Sequence, residues 1–270
     1  MVTIRKANGQ QEEFSEEKLR ASIRRAGIPS DLEEQVVSHV KSKLHEGIHS
    51  SEIFHHIVEF LGTSKMPHHR ARYSLKQSIM DLGPTGYPFE KFIARLLEKE
   101  GYKTQTNVIA QGKCVKHEID VVATKGNETL MVEAKFHNAA GTKTDVQVSL
   151  YTQARFEDTK DSNHFTHPML VTNTKATTDA TAYAKCVGMQ VITWSYPAER
   201  GLRELVETHH LHPITSLATL SNMQKQQLLE QNIVLCSELI ENASSLLFEL
   251  SPEKKKQVLE EARFACSGTN

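Results

Sequence analysis

The chain has 270 residues, of which 39% are hydrophobic and 24% charged, with 32 Lys and Arg against 33 Asp and Glu. No apolar run approaches the roughly 20 residues of a membrane span, so the composition excludes a membrane protein and a mainly disordered chain. The four cysteines form no CxxC pair and the N-terminus shows no secretory pattern. We therefore expect a cytoplasmic protein without disulfides or a zinc ribbon.

The first part of the chain predicts a β-hairpin followed by helices. Two short strands flank Ala7-Asn8-Gly9, and an Asn-Gly pair supplies the positive φ angles of a tight turn. Hydrophobic periodicity and capping residues then predict four helices. They cover residues 16–26 after the cap Ser15, the stretch from Pro29 to Gly47, a segment capped by Ser50 or Ser51, and Pro67 to Leu82.

From Tyr87 the pattern changes to alternating helices and strands, which is typical of an α/β domain with a mixed sheet. The Gly-Pro-Thr-Gly stretch that begins at Gly83 is the predicted boundary between the two parts. An amphipathic helix ends at Gly101. We predict strands near 102–109, 114–123, 129–137, 169–172 and 190–194, helices near 145–157 and 176–187, and a helical chain after Pro197.

A pair of carboxylates stands out on the second and third of these strands. If their turn is centred on Gly126-Asn127, facing residues have numbers that sum to 253, which places Asp120 opposite Glu133. Facing carboxylates repel each other, and a hard divalent cation with oxygen ligands would offset the repulsion. Alternation predicts an apolar face made of Val115, Ile119, Val121, Ala123, Leu130, Val132, Ala134 and Phe136.

Lys135 follows Glu133 on the same predicted face. A carboxylate pair that holds Mg²⁺, with a lysine beside it, is what phosphodiester hydrolysis requires, because the metal activates water and the ammonium stabilises developing charge. The bland alternative is that Lys135 neutralises the facing Glu118 and that this face is merely solvated. His117 falls on the apolar face by alternation, where a structural role is expected.

Three segments resemble the Mrr-type branch of the PD-(D/E)xK restriction-endonuclease-like superfamily. They are Tyr87–Tyr102, Gly112–Asp120 and Val132–Lys135. The resemblance implies metal binding by Glu90, Asp120 and Glu133, with Lys135 as the catalytic lysine. Without the resemblance, Glu90 is equally well explained by the favourable interaction of a carboxylate with the dipole at the start of a helix. On the next predicted helix, Gln153 or Arg155 could contact the scissile phosphate, and we assign this contact to Gln153.

Several short motifs in residues 1–83 resemble the ATP-cone, the nucleotide-sensing module of ribonucleotide reductases. They are Val2–Gly9, Glu12–Phe14, Lys18-Leu19, Gly47–Ile53 and Ala71–Lys76. The resemblance implies an ATP or dATP site, while Phe54 and Ala7 depart from the pattern and leave the choice of nucleotide open. The predicted nucleotide-binding residues are Lys6, Gly9, Glu12, Phe14, Lys18, Ser50 and Ile53.

The segment after residue 200 has the sequence pattern of a helix-hairpin-helix unit. Asn232 stands where the turn needs a residue that tolerates the left-handed conformation. It carries 6 basic and 9 acidic side chains, which disfavours DNA contact and favours a packing or dimerising module. The predicted domains are 1–84, 85–200 and 201–270.

The sequence thus predicts an α/β multidomain protein: a mostly helical ATP-cone with a β-hairpin, a central mixed sheet flanked by helices, and a helical tail. We expect a homo-oligomeric, Mg²⁺- or Mn²⁺-dependent DNA endonuclease that responds to ATP or dATP and serves in restriction or DNA repair. Two alternatives stay open: an ATP- or dATP-sensing DNA-binding regulator, and an inactive nuclease-fold scaffold.

Overall fold

The structure is a computed structural model, and it describes residues 2–7, 9–246 and 250–267. Asn8, the first residue of the predicted Asn-Gly pair, lies outside these residues. The N-terminal module combines a three-stranded sheet of order β2-β1-β3 with helices. Its elements are β1 Thr3–Arg5, β2 Gln11–Glu13, α1 Glu16–Arg25, α2 Ser30–Lys43, β3 Ile48–His49, α3 Ser50–Thr63, α4 His69–Tyr73 and α5 Leu75–Met80.

The cap predicted for α1 is confirmed, since the Ser15 hydroxyl accepts a hydrogen bond from the Lys18 amide at 3.2 Å. The cap predicted for α3 is wrong: His49 holds the capping position and Ser50 is the first helical residue. The predicted helix from Pro67 to Leu82 is two helices. They separate at Ser74, whose amide and hydroxyl both donate to the Arg70 carbonyl.

The central region is built on a five-stranded sheet of order β10-β8-β6-β5-β4. Strand β5 runs antiparallel to its neighbours β4 and β6, and β6, β8 and β10 run parallel, so the predicted mixed sheet is confirmed. Its elements are α6 Tyr87–Lys99, β4 Lys103–Gln111, β5 Lys116–Lys125, β6 Glu128–Lys135, β7 Lys143–Thr144, α7 Val146–Asn163, β8 His167–Thr172, β9 Lys175–Ala176, α8 Thr178–Cys186 and β10 Gln190–Ile192.

The two faces of the sheet are covered by different helices. Leu170 and Val191 pack with residues of α7 and α8 on one face. Val121 and Val132 pack with Phe89 on the other, beneath α6. Complete burial of a side chain such as Phe89 contributes roughly 1.5–3 kcal/mol.

The C-terminal segment packs onto the α6 face rather than standing apart. Its elements are α9 Leu202–Thr208, a 3₁₀ turn at Ile214–Ser216, α10 Asn222–Glu230, α11 Cys236–Glu241, α12 Ala243–Leu246 and α13 Pro252–Cys266. Asn232 has a φ of 61°, as the predicted turn requires. Leu228 and Leu239 share one core with Phe92 and Leu96 of α6, so the segment packs on the central domain, and a dimerising role stays a prediction. In the described ranges, every helix is too short or too polar to cross a bilayer.

Helices α4 and α5 belong to this large core as well. Leu75 and Ile79 pack with α6 and the C-terminal helices, whereas the rest of the N-terminal module has a separate core that includes Ile23, Val36 and Leu61. The N-terminal module is therefore fixed to the sheet domain through its last two helices.

Candidate active site

The register predicted for β5 and β6 is confirmed. The two strands pair from Lys125 with Glu128 up to Val121 with Val132, and every pair sums to 253. Beyond the last pair come Asp120 and Glu133. There the amide of Ala134 donates to the Asp120 carboxylate at 2.7 Å. The Asp120 side chain, and not a backbone carbonyl of β5, therefore accepts the hydrogen bond from Ala134. The structure thus brings Asp120 and Glu133 together where the two strands separate.

Glu133 points toward α7 and is paired with a buried arginine. The Arg155 guanidinium lies 2.5 Å from Oε2 of Glu133, and both side chains are nearly inaccessible to solvent. Arg155 also donates to the Tyr151 hydroxyl and lies 4.9 Å from the centre of the Tyr151 ring. Tyr151 precedes Arg155 by one helical turn, so α7 presents both side chains to the carboxylate.

Glu90 approaches the same point from the opposite face of the sheet. It lies in the first turn of α6, and its Oε2 accepts from the Asn107 amide nitrogen at 3.0 Å. Asn107, on β4, also donates to Glu118 at 3.3 Å, and its φ of 55° is the left-handed conformation. Burial first, and then the charge of Asp120, raises the pKa of Glu90.

Burial and mutual repulsion shift the protonation of the central pair. Desolvation, followed by the charge of Asp120, raises the pKa of Glu133 to about 7, and desolvation also raises the pKa of Asp120. One oxygen of each carboxylate is engaged, by Arg155 and by Ala134, and the other makes no hydrogen bond to a described residue. Two such oxygens fit a hard divalent cation, which would offset the repulsion.

A complete metal cage is not assembled around them. Within the described ranges, no three His, Cys, Asp or Glu side chains are close enough together to hold an ion as they stand. Arg155 supplies the positive charge beside Glu133 instead. The donor chemistry of Glu90, Asp120 and Glu133 fits a cation, and their present arrangement is one in which the arginine compensates the charge.

Lys135 ends β6 and pairs in register with Thr172 of β8, which puts it at the same edge of the sheet as Glu133. The alternative that it neutralises Glu118 is not supported, because no ion pair joins the two among the described residues. Beside it, the His137 ring bonds to the Thr144 hydroxyl at 2.9 Å. Burial and then the charge of Lys135 lower the pKa of His137.

Gln153 is not brought to this cluster. Its amide donates to Glu157 at 3.0 Å, and it lies two residues from Arg155, on a different side of α7. Arg155, Tyr151 and Asn107 occupy the site instead. The signal for Arg155 is periodicity: it falls on the buried face of α7 with Thr152 and Thr159, and a buried arginine needs an acidic partner.

The apolar face predicted for β5 is wrong at two positions. Val115 is 57% exposed. Ile119 packs with Met131 and Phe156 beneath α7, whereas Val121 packs on the α6 face. The alternation changes at Asp120, because Asn107 in its left-handed conformation interrupts the pairing of β4 and β5 at this point.

His117 also points toward α7, where its Nε2 lies 2.8 Å from Oδ2 of Asp158. Asp158 accepts from the amide of Cys114 at 2.9 Å and thereby fixes the loop between β4 and β5. The hydrogen bond from His117, followed by that from the Cys114 amide, lowers the pKa of Asp158 to about 2. The structural role expected of His117 fits this contact.

In the N-terminal module, one carboxylate forms ion pairs with two of the lysines that are predicted to bind phosphate. Glu12 lies 2.9 Å from the Lys6 ammonium and 3.2 Å from that of Lys18, and the first of these contacts is the main cause of its lowered pKa. Gly9 has a φ of 82° and open space around it. Because β1 and β3 are parallel neighbours, Lys6 and Ser50 follow adjacent strand ends. These residues thus surround one edge of the small sheet.

Phe14 and Ile53 have a different setting. Both pack in the core of the N-terminal module, and the Phe14 amide bonds to Val2 at the end of the hairpin away from Gly9. Phe54, one of the departures from the ATP-cone pattern, stacks on Tyr73 with their ring centres 5.8 Å apart. A nucleotide role for Phe14 and Ile53 stays a prediction.

Comparison with known proteins identifies the three parts. The family model described as "ATP cone domain" matches residues 2–79, "Restriction endonuclease" matches 84–198, and "AF1548-like, C-terminal" matches 212–266. Both predicted resemblances are thus confirmed, in the predicted order.

A relative described as "Uncharacterized protein" from Archaeoglobus fulgidus is 41% identical over 173 residues, which are 63% of this chain and 98% of the relative. A solved structure titled "Crystal Structure of Protein of Unknown Function AF1548" matches 66% of this chain and 97% of its own, at 40% identity and a TM-score of 0.59. By its identity to the A. fulgidus protein over almost that protein's whole length, the chain belongs to the AF1548-like family, with an ATP cone ahead of a restriction-endonuclease-type domain.

Proposed function

We propose that the protein is a divalent-metal-dependent DNA endonuclease whose activity responds to ATP or dATP. The observation that carries the proposal is the convergence of Asp120 and Glu133 at the end of the β5–β6 ladder, with Lys135 at the same edge. The raised pKa values of Asp120 and Glu133 support a site that gains from a bound cation. The restriction-endonuclease match over this region supports the same chemistry.

Each residue has a distinct task in this proposal. Asp120 and Glu133 hold Mg²⁺ or Mn²⁺ through their unengaged oxygens, and Glu90 contributes from α6. A bound divalent cation would polarise the phosphate and lower the pKa of a coordinated water. Lys135 orients the attacking water or stabilises charge on the phosphate, and Arg155 holds Glu133 in position.

The test is plasmid cleavage with Mg²⁺ or Mn²⁺, with and without ATP and dATP. We expect Asp120→Asn and Lys135→Met to slow cleavage at least about a hundredfold, because each removes a group that acts on the transition state. Asp161→Asn and Lys256→Met are matched controls, since both side chains are exposed and lie on α7 and α13 away from the cluster. Cleavage by Asp120→Asn at the parent rate would contradict the proposal.

One observation favours a second candidate. Arg155 already compensates the charge of Glu133, and a site stabilised in that way can persist without metal. A nucleotide-sensing, DNA-binding regulator on a non-cleaving nuclease fold is therefore the alternative. DNA retained in a gel-shift assay, with no cleavage under any combination of cation and nucleotide, would favour the regulator.

We also propose that the protein is cytoplasmic and homo-oligomeric. Sedimentation analysis tests the oligomeric state.

A further inference from the structure

A cavity of about 490 Å³ lies beside the first turn of α8, next to the carboxyl ends of β8 and β10. None of the described residues that line it is acidic. Two lysines, Lys175 and Lys185, lie at its rim, both exposed, and neither forms an ion pair with a described residue. The other lining residues are mainly hydroxyl-bearing: Thr177, Thr178, Thr181, Thr193, Ser195 and Tyr196, with Ala176 and Ala182.

One hydroxyl in this cavity has no protein partner. Thr193 is only 2% exposed, no hydrogen bond joins its side chain to a described residue, and its hydroxyl oxygen keeps contact with the open space. Its backbone is fully engaged, since its amide donates to Tyr196 at 2.7 Å and its carbonyl accepts from Leu202 at 2.8 Å. The hydroxyl is therefore free to bond to water or to a ligand that enters the cavity.

Further positive charge gathers behind the cavity. The Lys76 ammonium, on α5, lies 5.3 Å from the centre of the Trp194 ring. Burial, followed by the charges of Lys175 and Arg203, lowers the pKa of Lys76, so these cations repel one another. Arg203 is paired with Glu204, which leaves the charges of Lys76 and Lys175 uncompensated by any ion pair in the described residues. Such a cluster is stabilised by an anion.

The cavity lies at the same edge of the sheet as the carboxylate pair. Strands β6, β8 and β10 are parallel neighbours, so Lys135, Thr172 and Thr193 all follow or end strands at that edge. Neighbouring strands are about 4.8 Å apart, so the cavity lies roughly 10 Å from the strand of Glu133.

We propose that this cavity binds a backbone phosphate of the DNA, close to the scissile bond, through Lys175, Lys185 and the Thr193 hydroxyl. This inference rests on the proposed function, because it takes DNA as the ligand. The site positions the strand and does not read bases, since phosphate contacts carry no sequence information.

The test is the affinity for a short duplex as a function of salt, measured by fluorescence anisotropy with Ca²⁺ in place of Mg²⁺ to prevent cleavage. We expect Lys175→Glu and Lys185→Glu each to weaken binding roughly tenfold and to reduce the magnitude of the logarithmic salt slope by about 1. Thr193→Val, which keeps the shape and removes the hydroxyl, should weaken binding several-fold and leave the thermal midpoint unchanged. Lys256→Glu is the control, because its side chain is 77% exposed on α13.

The outcomes separate this inference from the proposed function. Parent protein that binds DNA with the expected salt dependence but never cleaves would overturn the endonuclease and leave the phosphate site intact. Unchanged affinity and salt slope in both lysine variants would overturn the phosphate site. A third arm measures binding of a fluorescent ATP analogue: weaker binding in Lys175→Glu, with DNA affinity unchanged, would assign the cavity to free nucleotide and refute the inference.

Discussion

Glu133 is subject to two opposing influences. Burial and the nearby Asp120 favour its neutral form, and the Arg155 guanidinium at 2.5 Å favours its carboxylate. The first influence prevails, with a pKa of about 7 against an ordinary value of 4.5. Proton loss, arginine pairing and cation binding are therefore linked at this one side chain.

This linkage predicts an unusual pH dependence of stability. As the pH rises from 4.5 to about 7, unfolded Glu133 loses its proton before the folded residue does, so the folded state binds more protons and its stability falls. The Glu133→Gln variant has no ionisable proton at this position, so its stability does not fall in this way. The free energy of unfolding of Glu133→Gln, relative to the parent, should therefore rise by about 2–3 kcal/mol between pH of about 5 and about 8.

Urea unfolding at several pH values measures this difference. Glu157→Gln, on the exposed side of α7, is the control. Added Mn²⁺ should raise the thermal midpoint of the parent more at the higher pH, because the proton no longer competes for the carboxylate. A stability difference that does not change with pH would refute the raised pKa.

The position of the cluster was partly predictable from sequence, because the turn between two paired strands determines which residues face each other. One turn at Gly126 fixed the register, and the register placed Asp120 beside Glu133. The choice between Gln153 and Arg155 depends on how α7 rotates against the sheet, which is a tertiary property. The change of face at Ile119 depends on the left-handed Asn107, which no local pattern announces.

The hairpin of β4 and β5 is fixed to α7 at its tip. The Asp158 carboxylate accepts from Cys114 and contacts His117, while its carbonyl accepts from Lys113 at 2.9 Å. Gly112 is needed beside it, since a Cβ there would lie 2.0 Å from Oδ2 of Asp158 and 2.4 Å from the backbone oxygen of Val115. The tip of the hairpin therefore requires glycine at position 112, where the backbone lies close to the Asp158 carboxylate.

We predict that Gly112→Ala lowers the free energy of unfolding by about 1–3 kcal/mol, because the new methyl group must displace the Asp158 carboxylate and the Val115 carbonyl. Asp158→Ala removes the first of these two obstacles, together with the hydrogen bonds of the carboxylate. The double variant should therefore be less destabilised than the sum of the two single variants. Chemical denaturation of all four proteins closes the cycle, and strict additivity would show that the two residues do not compete for space.

At the scale of the whole molecule, the N-terminal module also contacts the last helix. The Arg72 guanidinium of α4 lies 4.3 Å from the centre of the Phe264 ring and donates to the Phe264 carbonyl at 2.8 Å. His69 packs edge-on against the same ring, with centres 4.8 Å apart. The sequence did not predict these contacts, because packing between separate helices has no local signature.

If this contact carries the nucleotide signal, Phe264→Ala should uncouple the modules. We expect ATP to bind the variant as tightly as it binds the parent, because Lys6 and Lys18 are untouched, while the ratio of cleavage rates with and without ATP moves toward 1. Titration with a labelled nucleotide and cleavage assays measure the two quantities. Met223→Ala, at a side chain 73% exposed, is the control. An unchanged rate ratio would exclude this route.

The shared core of α4 and α5 also bears on how such proteins can be recombined. Leu75, Ile79 and Leu82 are fully or almost fully buried against α6 and the C-terminal helices, although they precede the Gly-Pro junction in sequence. A different sensor could be grafted onto this restriction-endonuclease-type domain only if these two helices stayed with the recipient. The exchangeable unit therefore ends before α4, because the final helices of the cone form part of the core of the following domains.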